Sequence, residues 1–390
     1  MLYLAVPTGA FHGWGVCGRY LAKELSALDR VALLTEPFDV KEIGDELDYR
    51  LLQGLLSSQE PVQPVQAPVM QAVFHPEMLP YRPGLRGRFN AGYTFFENNL
   101  LSARQVSNLA ARFDLVVAGS RFCEEVLRGH GLSAVTTVLQ GVDTTIFHPA
   151  HHDKEYFRDS FVVFSGGKFE FRKGQDLVIR AFKALQDRHR DVLLMNSWYN
   201  CWPVSLATMQ LSRHIRFQPS QNDFVSMISQ VLLDNAIDLE RVITLLPRPN
   251  VMMARMYQNT DVGLFPNRCE GGTNLVLMEY MACGKPAIAS FNSGHRDILT
   301  PANSIPIRGG RPIALREGDC TVAEWQEPDL EETIALLEWS YQHRDRLRAI
   351  GMQAARALSG LTWRRAAGQF HRLLGGVTGA LSAVPAEGSA

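Results

Sequence analysis

No apolar run in this sequence reaches the roughly 18–20 residues that a membrane-spanning helix needs. Cysteine is scarce and scattered. The six residues (Cys17, Cys123, Cys201, Cys269, Cys283, Cys320) form no Cys-x-x-Cys pair, so the pattern encodes neither a disulfide framework nor a thiolate metal knuckle, and reduced, cytoplasmic thiols are expected. Neither sign of charge dominates. With 39 Lys and Arg against 40 Asp and Glu, the net charge of −1 excludes a chain built to hold nucleic acid or an acidic polymer. An Asp-x-Asp metal motif is missing too, so no metal site and no cofactor is expected. Internal repeats and low-complexity tracts are absent. The opening Met1-Leu-Tyr-Leu-Ala-Val6 is too short for the apolar core of a signal segment and lacks a basic start.

What is present is 46% hydrophobic residues in a chain of 390, enough for a sizeable core. Single cores stop growing near roughly 250–300 residues, so two domains are expected. Short apolar runs alternate with longer helical patterns, the order that builds a parallel sheet covered by helices. Leu2–Val6 and Val31–Thr35 read as strands around a loop at Pro7–Gly15 and a helix at Arg19–Leu28. The Pro- and Gln-rich Ser57–Pro68 reads as a surface connector, and Gly92–Phe96, Leu115–Ala118 and Thr136–Leu139 as further strands. After a polar seam, Phe161–Ser165 begins a second strand-loop-helix series.

The most telling stretch runs from Glu270 through Gly271, Gly272, Thr273, Asn274 and Leu275 to Glu279, and on to Gly284-Lys-Pro286. Asp261–Phe265 before it fits a buried parallel strand, the glycines permit a tight turn, and Asn274 is a suitable helix cap. Backbone N–H groups at a helix start bind phosphate. A carboxylate beside such a pocket repels phosphate unless it serves another group, and the hydroxyls of a sugar or ribose are suitable donors to it. A sugar nucleotide satisfies both demands. A second phosphate candidate, Ser165-Gly-Gly167-Lys168-Phe-Glu-Phe-Arg172-Lys173-Gly174, lies between a strand and the helix Gln175–Leu185. Its cations can neutralise a diphosphate.

These two segments together resemble the retaining glycosyltransferases of family four, whose signature is a Glu, seven residues, a second Glu, and a helix reading like Ala-Met-Ala-Cys-Gly-x-Pro. The resemblance implies two Rossmann-like domains facing each other across a cleft, the GT-B architecture. It implies residues 1–155 as an acceptor-side domain completed by a helix at about 360–378, residues 156–359 as the nucleotide-sugar domain, and 379–390 as a disordered tail. In that family the first Glu contacts the donor sugar and the second the donor ribose. Glu279 fits the second position; eight residues, not seven, separate it from Glu270. Either the loop has gained one residue and Glu270 still reaches the sugar, or Asn274 and backbone amides replace it. Lys168 takes the place of the family's Arg, Lys173-Gly174 matches its Lys-Gly, and His295 and Arg296 depart from its Gly-Gly-x-x-Glu-Ile segment. Catalytic roles are thereby expected for Lys168, Lys173, Glu270 and Glu97, the last at the carboxyl end of an apolar strand. Donor contacts are expected from Gly13, Gly15, Gly167, Arg172, Gly271, Gly272, Thr273, Asn274, Leu275 and Glu279, and acceptor-side contacts from His12 and Trp14.

Gly13, Gly15 and Gly18 also fit a dinucleotide-type glycine string, but Glu36 is followed at once by Pro37 and no suitable acid follows the second strand. The expected activity is transfer of a sugar, with retention and without metal, from a nucleotide-diphosphate sugar to a hydroxyl acceptor. Two other readings stay open: a nucleotide-sugar epimerase or phosphorylase of the same fold, and a sugar-nucleotide-binding protein without turnover, suggested by the shifted Glu270 and by Lys168. Between Tyr341 and Arg372 stand Arg344, Arg346, Arg348, Arg356, Arg364, Arg365 and Arg372 with one acid, Asp345, and Arg82, Arg86 and Arg88 form a second group. Such surfaces suit peripheral contact with an anionic membrane from the cytoplasmic side.

Overall fold

A computed structural model describes residues 1–57, 63–150, 153–220 and 223–381. The chain divides into two compact units. The first comprises residues 1–96, 101–141 and 361–390, the second residues 97–100 and 142–360.

In the first unit, strands β1 (Leu2–Ala5), β2 (Val31–Leu34), β3 (Val65–Phe74), β5 (Gly87–Thr94), β6 (Leu115–Ala118) and β7 (Val135–Thr137) form a sheet in the order β2-β1-β3-β5-β6-β7, while the two-residue β4 (Leu79–Pro80) pairs with β3. All pairings on the main path are parallel. The chain reverses its direction of travel between β1 and β3, the place where open α/β sheets put their ligands. Strand β3 corrects the reading of Ser57–Pro68 as surface connector; residues 58–62 lie outside the described residues. Val65 to Pro68 belong to a central strand whose residues are nearly all buried. Pro68 is tolerated because it precedes the stretch of β3 that pairs with β1, and sits where the register with β5 shifts.

Gly13 and Gly15 stand in a helix, Gly13–Ser26, not in a loop as expected. His12 caps that helix, its Nδ1 accepting from the Gly15 N–H at 3.2 Å. The glycines answer to packing: a Cβ on Gly18 would lie 1.9 Å from the Pro7 carbonyl oxygen, and one on Gly15 3.0 Å from the Gly9 backbone. The last helix runs Trp363–Leu381, three residues further along than expected; it takes in residues 379–381, whereas 382–390 lie outside the described residues. Its Trp363 stacks on Tyr20 at 5.3 Å and its Phe370 meets Tyr93 at 4.9 Å.

The second unit holds a parallel sheet in the order β10-β9-β8-β11-β12-β13, with β8 Phe161–Lys168, β9 Val192–Tyr199, β10 Val242–Thr244, β11 Val262–Phe265, β12 Ala287–Ser290 and β13 Ile305–Ile307. Phe161, Val163, Leu194, Val262, Leu264 and Ile288 lie in one buried core with Val178 and Phe182 of the helix Gln175–Arg188. An antiparallel hairpin, β14 (Gly310–Glu317) and β15 (Cys320–Pro328), follows. Strand order reverses between β8 and β11. The two loops that the sequence marks as phosphate candidates leave those two strands.

Candidate active site

Beyond β11 the chain turns through Pro266–Asn274 into the helix Leu275–Ala282. Asn274 caps it from the left-handed region, φ 64°, where Asn is among the residues that adopt this geometry at low cost. The loop rests on the segment after β12. The Gly294 N–H donates to the Glu270 carbonyl at 3.0 Å, and a Cβ on Gly294 would fall 1.7 Å from the Gly272 carbonyl oxygen.

This turn carries the buried Glu270 to the end of β8. Its Oε2 accepts from Lys173 Nζ at 2.5 Å and Asn267 Nδ2 at 2.9 Å, and Arg172 Nη1 stands 3.1 Å away. Arg172 is shared: Nη2 meets Glu170 at 2.6 Å and Nη1 meets Glu97 at 3.2 Å. Lys168 Nζ lies 3.5 Å from Glu170 and 4.8 Å from the Trp202 ring centroid. Three cations and three carboxylates therefore form one connected cluster at the switch point. Burial alone would raise the Glu270 carboxyl, but Lys173 and then Arg172 bring it down to about 2. Burial lowers the Lys173 ammonium, against the pull of Glu270. Burial opposes the Arg172 charge as well, yet Glu97, Glu170 and Glu270 hold its pKa well above the ordinary value.

His295 is buried against the Asn274 cap. Its Nδ1 lies 3.1 Å from the Ser290 carbonyl and its Nε2 3.2 Å from Asn274 Nδ2. A neutral ring that donates through Nδ1 and accepts at Nε2 satisfies both partners. Burial first, opposed by Glu270 and aided by Lys173, lowers its pKa to about 4.

Residues 227–318 match the sequence model of the family Glycosyl transferases group 1. That match covers 92 of the 390 residues, all within the second unit. No curated protein sequence matches it. Among solved structures it is similar to sucrose-phosphate synthase from Thermosynechococcus elongatus, at 15% identity and TM-score 0.67, with 97% of this chain and 99% of that one covered. It is also similar to the Escherichia coli trehalose-6-phosphate structure bound with UDP-2-fluoro glucose (12%, TM-score 0.65, 96% and 98% covered) and to Anabaena Alr3699/HepE in complex with UDP-glucose (15%, 0.61, 98% and 100%). At such identities the likeness is one of fold, and the fold is GT-B.

Within this fold the expected Lys168, Arg172, Lys173, Glu97 and Glu270 come together, with Gly167 at the end of β8 beside Lys173. Gly271, Gly272, Thr273, Asn274 and Leu275 form the adjoining loop and helix start. Glu279 stands apart from the ionic cluster. It lies past the first turn of its helix, buried, its Oε1 accepting from Asn250 Nδ2 at 2.9 Å and its Oε2 3.5 Å from the Tyr257 hydroxyl. His12, Gly13, Trp14 and Gly15 belong to the first unit. There Trp14 packs edge-on against Phe74, Tyr93 and Phe95.

Sequence reasoning missed Glu170, Asn267 and Ser293, the last of which accepts the Glu270 N–H at 2.8 Å. It also missed the brace under the loop. Arg268, fully buried, bonds Asp176 at 2.8 and 2.7 Å and Glu327 at 2.6 and 2.9 Å, and lies 3.7 Å from the Phe171 ring centroid. Its backbone N–H donates to the Arg172 carbonyl at 2.8 Å. Asp176 and Glu327 are 92 and 59 positions away, so no local pattern announces the pairing. The arginines of the 344–372 stretch are divided between the units. Arg344 bridges Asp191 at 2.7 Å and Arg348 approaches Asp153 at 3.8 Å. No helix of the described residues is long and apolar enough to cross a membrane.

Proposed function

We propose that the protein moves a sugar, with retention, from a nucleotide-diphosphate sugar to an acceptor hydroxyl, as a family-four type enzyme that needs no metal. One observation carries this reading: Glu270 held between Lys173 and Arg172, directly before a capped helix start at the switch point of the sheet. A diphosphate leaving group gathers negative charge as its bond to the sugar breaks. Lys173, Arg172 and Lys168, with the N–H groups at the Asn274 helix start, supply fixed positive charge for it in a largely dry site. Glu270 accepts hydroxyls of the sugar and keeps the two cations in place until the diphosphate arrives. The acceptor oxygen attacks the face from which the diphosphate departs and passes its proton to a leaving-group oxygen, so no protein base is consumed. Glu279, oriented by Asn250 and Tyr257, accepts the ribose hydroxyls. UDP and UDP-glucose in the Anabaena Alr3699/HepE structures support a nucleotide-sugar donor.

Titration with a panel of sugar nucleotides, followed by a test for donor consumption with and without added hydroxyl acceptors, decides the matter. Acceptor-dependent consumption that survives EDTA is the expected result. Release of a 2-epimer or a sugar phosphate without acceptor would make the protein an epimerase or phosphorylase, and tight binding without turnover would make it a binding protein. Cytoplasmic residence and peripheral contact with anionic membrane through Arg364, Arg365 and Arg372 belong to the same reading. Sedimentation with liposomes that ignores lipid charge would leave a soluble acceptor.

A further inference from the structure

Four cations of the second unit line a separate cavity of about 420 Å³: Arg180, Lys183, Arg213 and Arg216, with His214 between the last two and Asp234 as the one acid. Arg180 and Lys183 are three residues apart on the helix Gln175–Arg188 and so share a face. Arg213 and Arg216 come from a segment tied down along its length. The Ser212 hydroxyl donates to Asp176 at 2.6 Å, His214 Nε2 meets Glu327 at 2.8 Å, and Asn235 clamps the Arg216 backbone through two bonds of 2.9 Å.

The charges in this cavity are not balanced. Lys183 is paired with Asp187, and Asp234 accepts from Gln230 at 2.7 Å. Arg180, Arg213 and Arg216 form no ion pair among the described residues. Three guanidinium forks around one hollow, two of them on a segment whose backbone is held, suit the tetrahedral oxygens of a phosphate group and cost little to organise. None of these residues belongs to the Lys173–Glu270 cluster.

We infer that this cavity is a second anion site, taking a phosphate or diphosphate group independently of the donor site. The group belongs either to a soluble phosphorylated molecule or to a phospholipid head, and the chemistry of recognition is the same. The test is calorimetric titration of pyrophosphate into protein carrying Lys173→Ala, which weakens the donor site. Saturable binding is expected in that background. It should fall at least about tenfold on adding Arg213→Glu and Arg216→Glu, and by a smaller factor with Arg180→Ala, with the thermal midpoint unchanged because all three side chains are on the surface. The source is read from vesicles of phosphatidylcholine with and without phosphatidic acid. Sedimentation that needs phosphatidic acid and is lost with the double charge reversal assigns the site to a lipid head group; pyrophosphate binding without vesicle binding assigns it to a soluble phosphate. Pyrophosphate affinity unchanged by the double reversal, or no saturable binding at all, overturns the inference. Neither readout depends on sugar transfer, so failure here and failure of the transferase reading are separate results.

Discussion

Two glycine-rich turns follow parallel strands in this chain, and they owe their glycines to different physics. After β1, the glycines let the helix Gly13–Ser26 lie against Pro7 and Gly9, and the neighbouring Trp14 sits in an aromatic cluster. After β11, Gly294 of the following loop lets its backbone touch the Gly272 carbonyl of the turn in which Glu270 reaches Lys173 and Arg172. Composition alone makes the two look alike. What separates them is charge: the first turn has no acid or Lys or Arg between Pro7 and Gly18, whereas the second belongs to a cluster of three cations and three carboxylates. A glycine string becomes evidence for a ligand only when the groups that would hold that ligand converge on it.

The largest effect should come from Glu270→Gln. Removing the charge leaves the volume intact but takes away the acceptor for sugar hydroxyls, and turnover should fall about 100-fold or more. The free nucleoside diphosphate should bind as well as before or better, because Lys173 and Arg172 lose their internal competitor. Turnover within tenfold of wild type would remove Glu270 from the chemistry. Next is Lys173→Ala, which should weaken diphosphate binding by roughly 10- to 100-fold, the equivalent of about 1.5–3 kcal/mol for a charge-assisted contact. Unchanged diphosphate affinity by calorimetry would place the leaving group elsewhere. Gly18→Ala supplies the contrast. It forces a Cβ onto the Pro7 carbonyl and should cost about 1–3 kcal/mol of stability in denaturant unfolding while the folded fraction keeps its donor affinity. A selective loss of donor affinity would mean that the first turn is a ligand loop after all.

The difference between the turns also explains what could be read in the sequence. The short apolar run Leu115–Ala118 gave its strand to the residue, and Asp261–Phe265 gave β11 to within one, because a buried parallel strand has few alternatives. Strand β3 was hidden by Pro64, Pro68 and three glutamines, since pairing on both sides overrode a composition that suits a connector. Its Gln71 is accommodated in the core by bonds to the Leu85 carbonyl and the Arg82 N–H. Lys173, Arg172 and Glu270 were legible as candidates because each lies in a recognisable strand-loop-helix pattern. The Arg268 brace was not, because Asp176 and Glu327 lie 92 and 59 positions away, while Glu170 and Asn267 bond Arg172 and Glu270 only two and three residues off but carry no motif that marks them.

A smaller effect concerns acid. His295 has its pKa lowered to about 4 from 6.5, so below pH 6.5 the unfolded chain binds a proton that the folded one refuses. That contribution to stability is complete above pH 6.5 and is lost as pH falls through 4. Glu270, lowered to about 2 from 4.5, contributes above pH 4.5 and loses its share toward pH 2. Stability should therefore fall with acid in two overlapping stages, each with a slope of at most about 1.4 kcal/mol per pH unit. His295→Gln should flatten the stage between pH 6.5 and 4 and leave the lower one. If unfolding by urea shows the same slope in both proteins across that window, the histidine is not the group responsible.

Glu279→Gln should have the smallest effect and sharpen the comparison within the second unit, between a carboxylate inside the ionic cluster and one outside it. The amide keeps the shape of the side chain. Its oxygen can still accept from Asn250, and its NH₂ can donate to the Tyr257 oxygen, so the fold should be undisturbed. Burial, and then the charge of Glu279, push the Tyr257 phenol well above its ordinary range, which keeps that hydroxyl protonated in either protein. What the substitution removes is one acceptor oxygen for the ribose. Donor affinity should drop by less than about tenfold, in line with the roughly 0.5–1.5 kcal/mol of an ordinary hydrogen bond, because the amide keeps one acceptor oxygen. The decisive measurement is discrimination: wild-type protein should prefer a ribonucleoside diphosphate to its deoxy counterparts, and the variant should bind them more nearly alike. Equal losses for the ribo and deoxy ligands, accompanied by a fall in thermal midpoint, would show that Glu279 holds its helix to Asn250 and Tyr257 and touches no ribose.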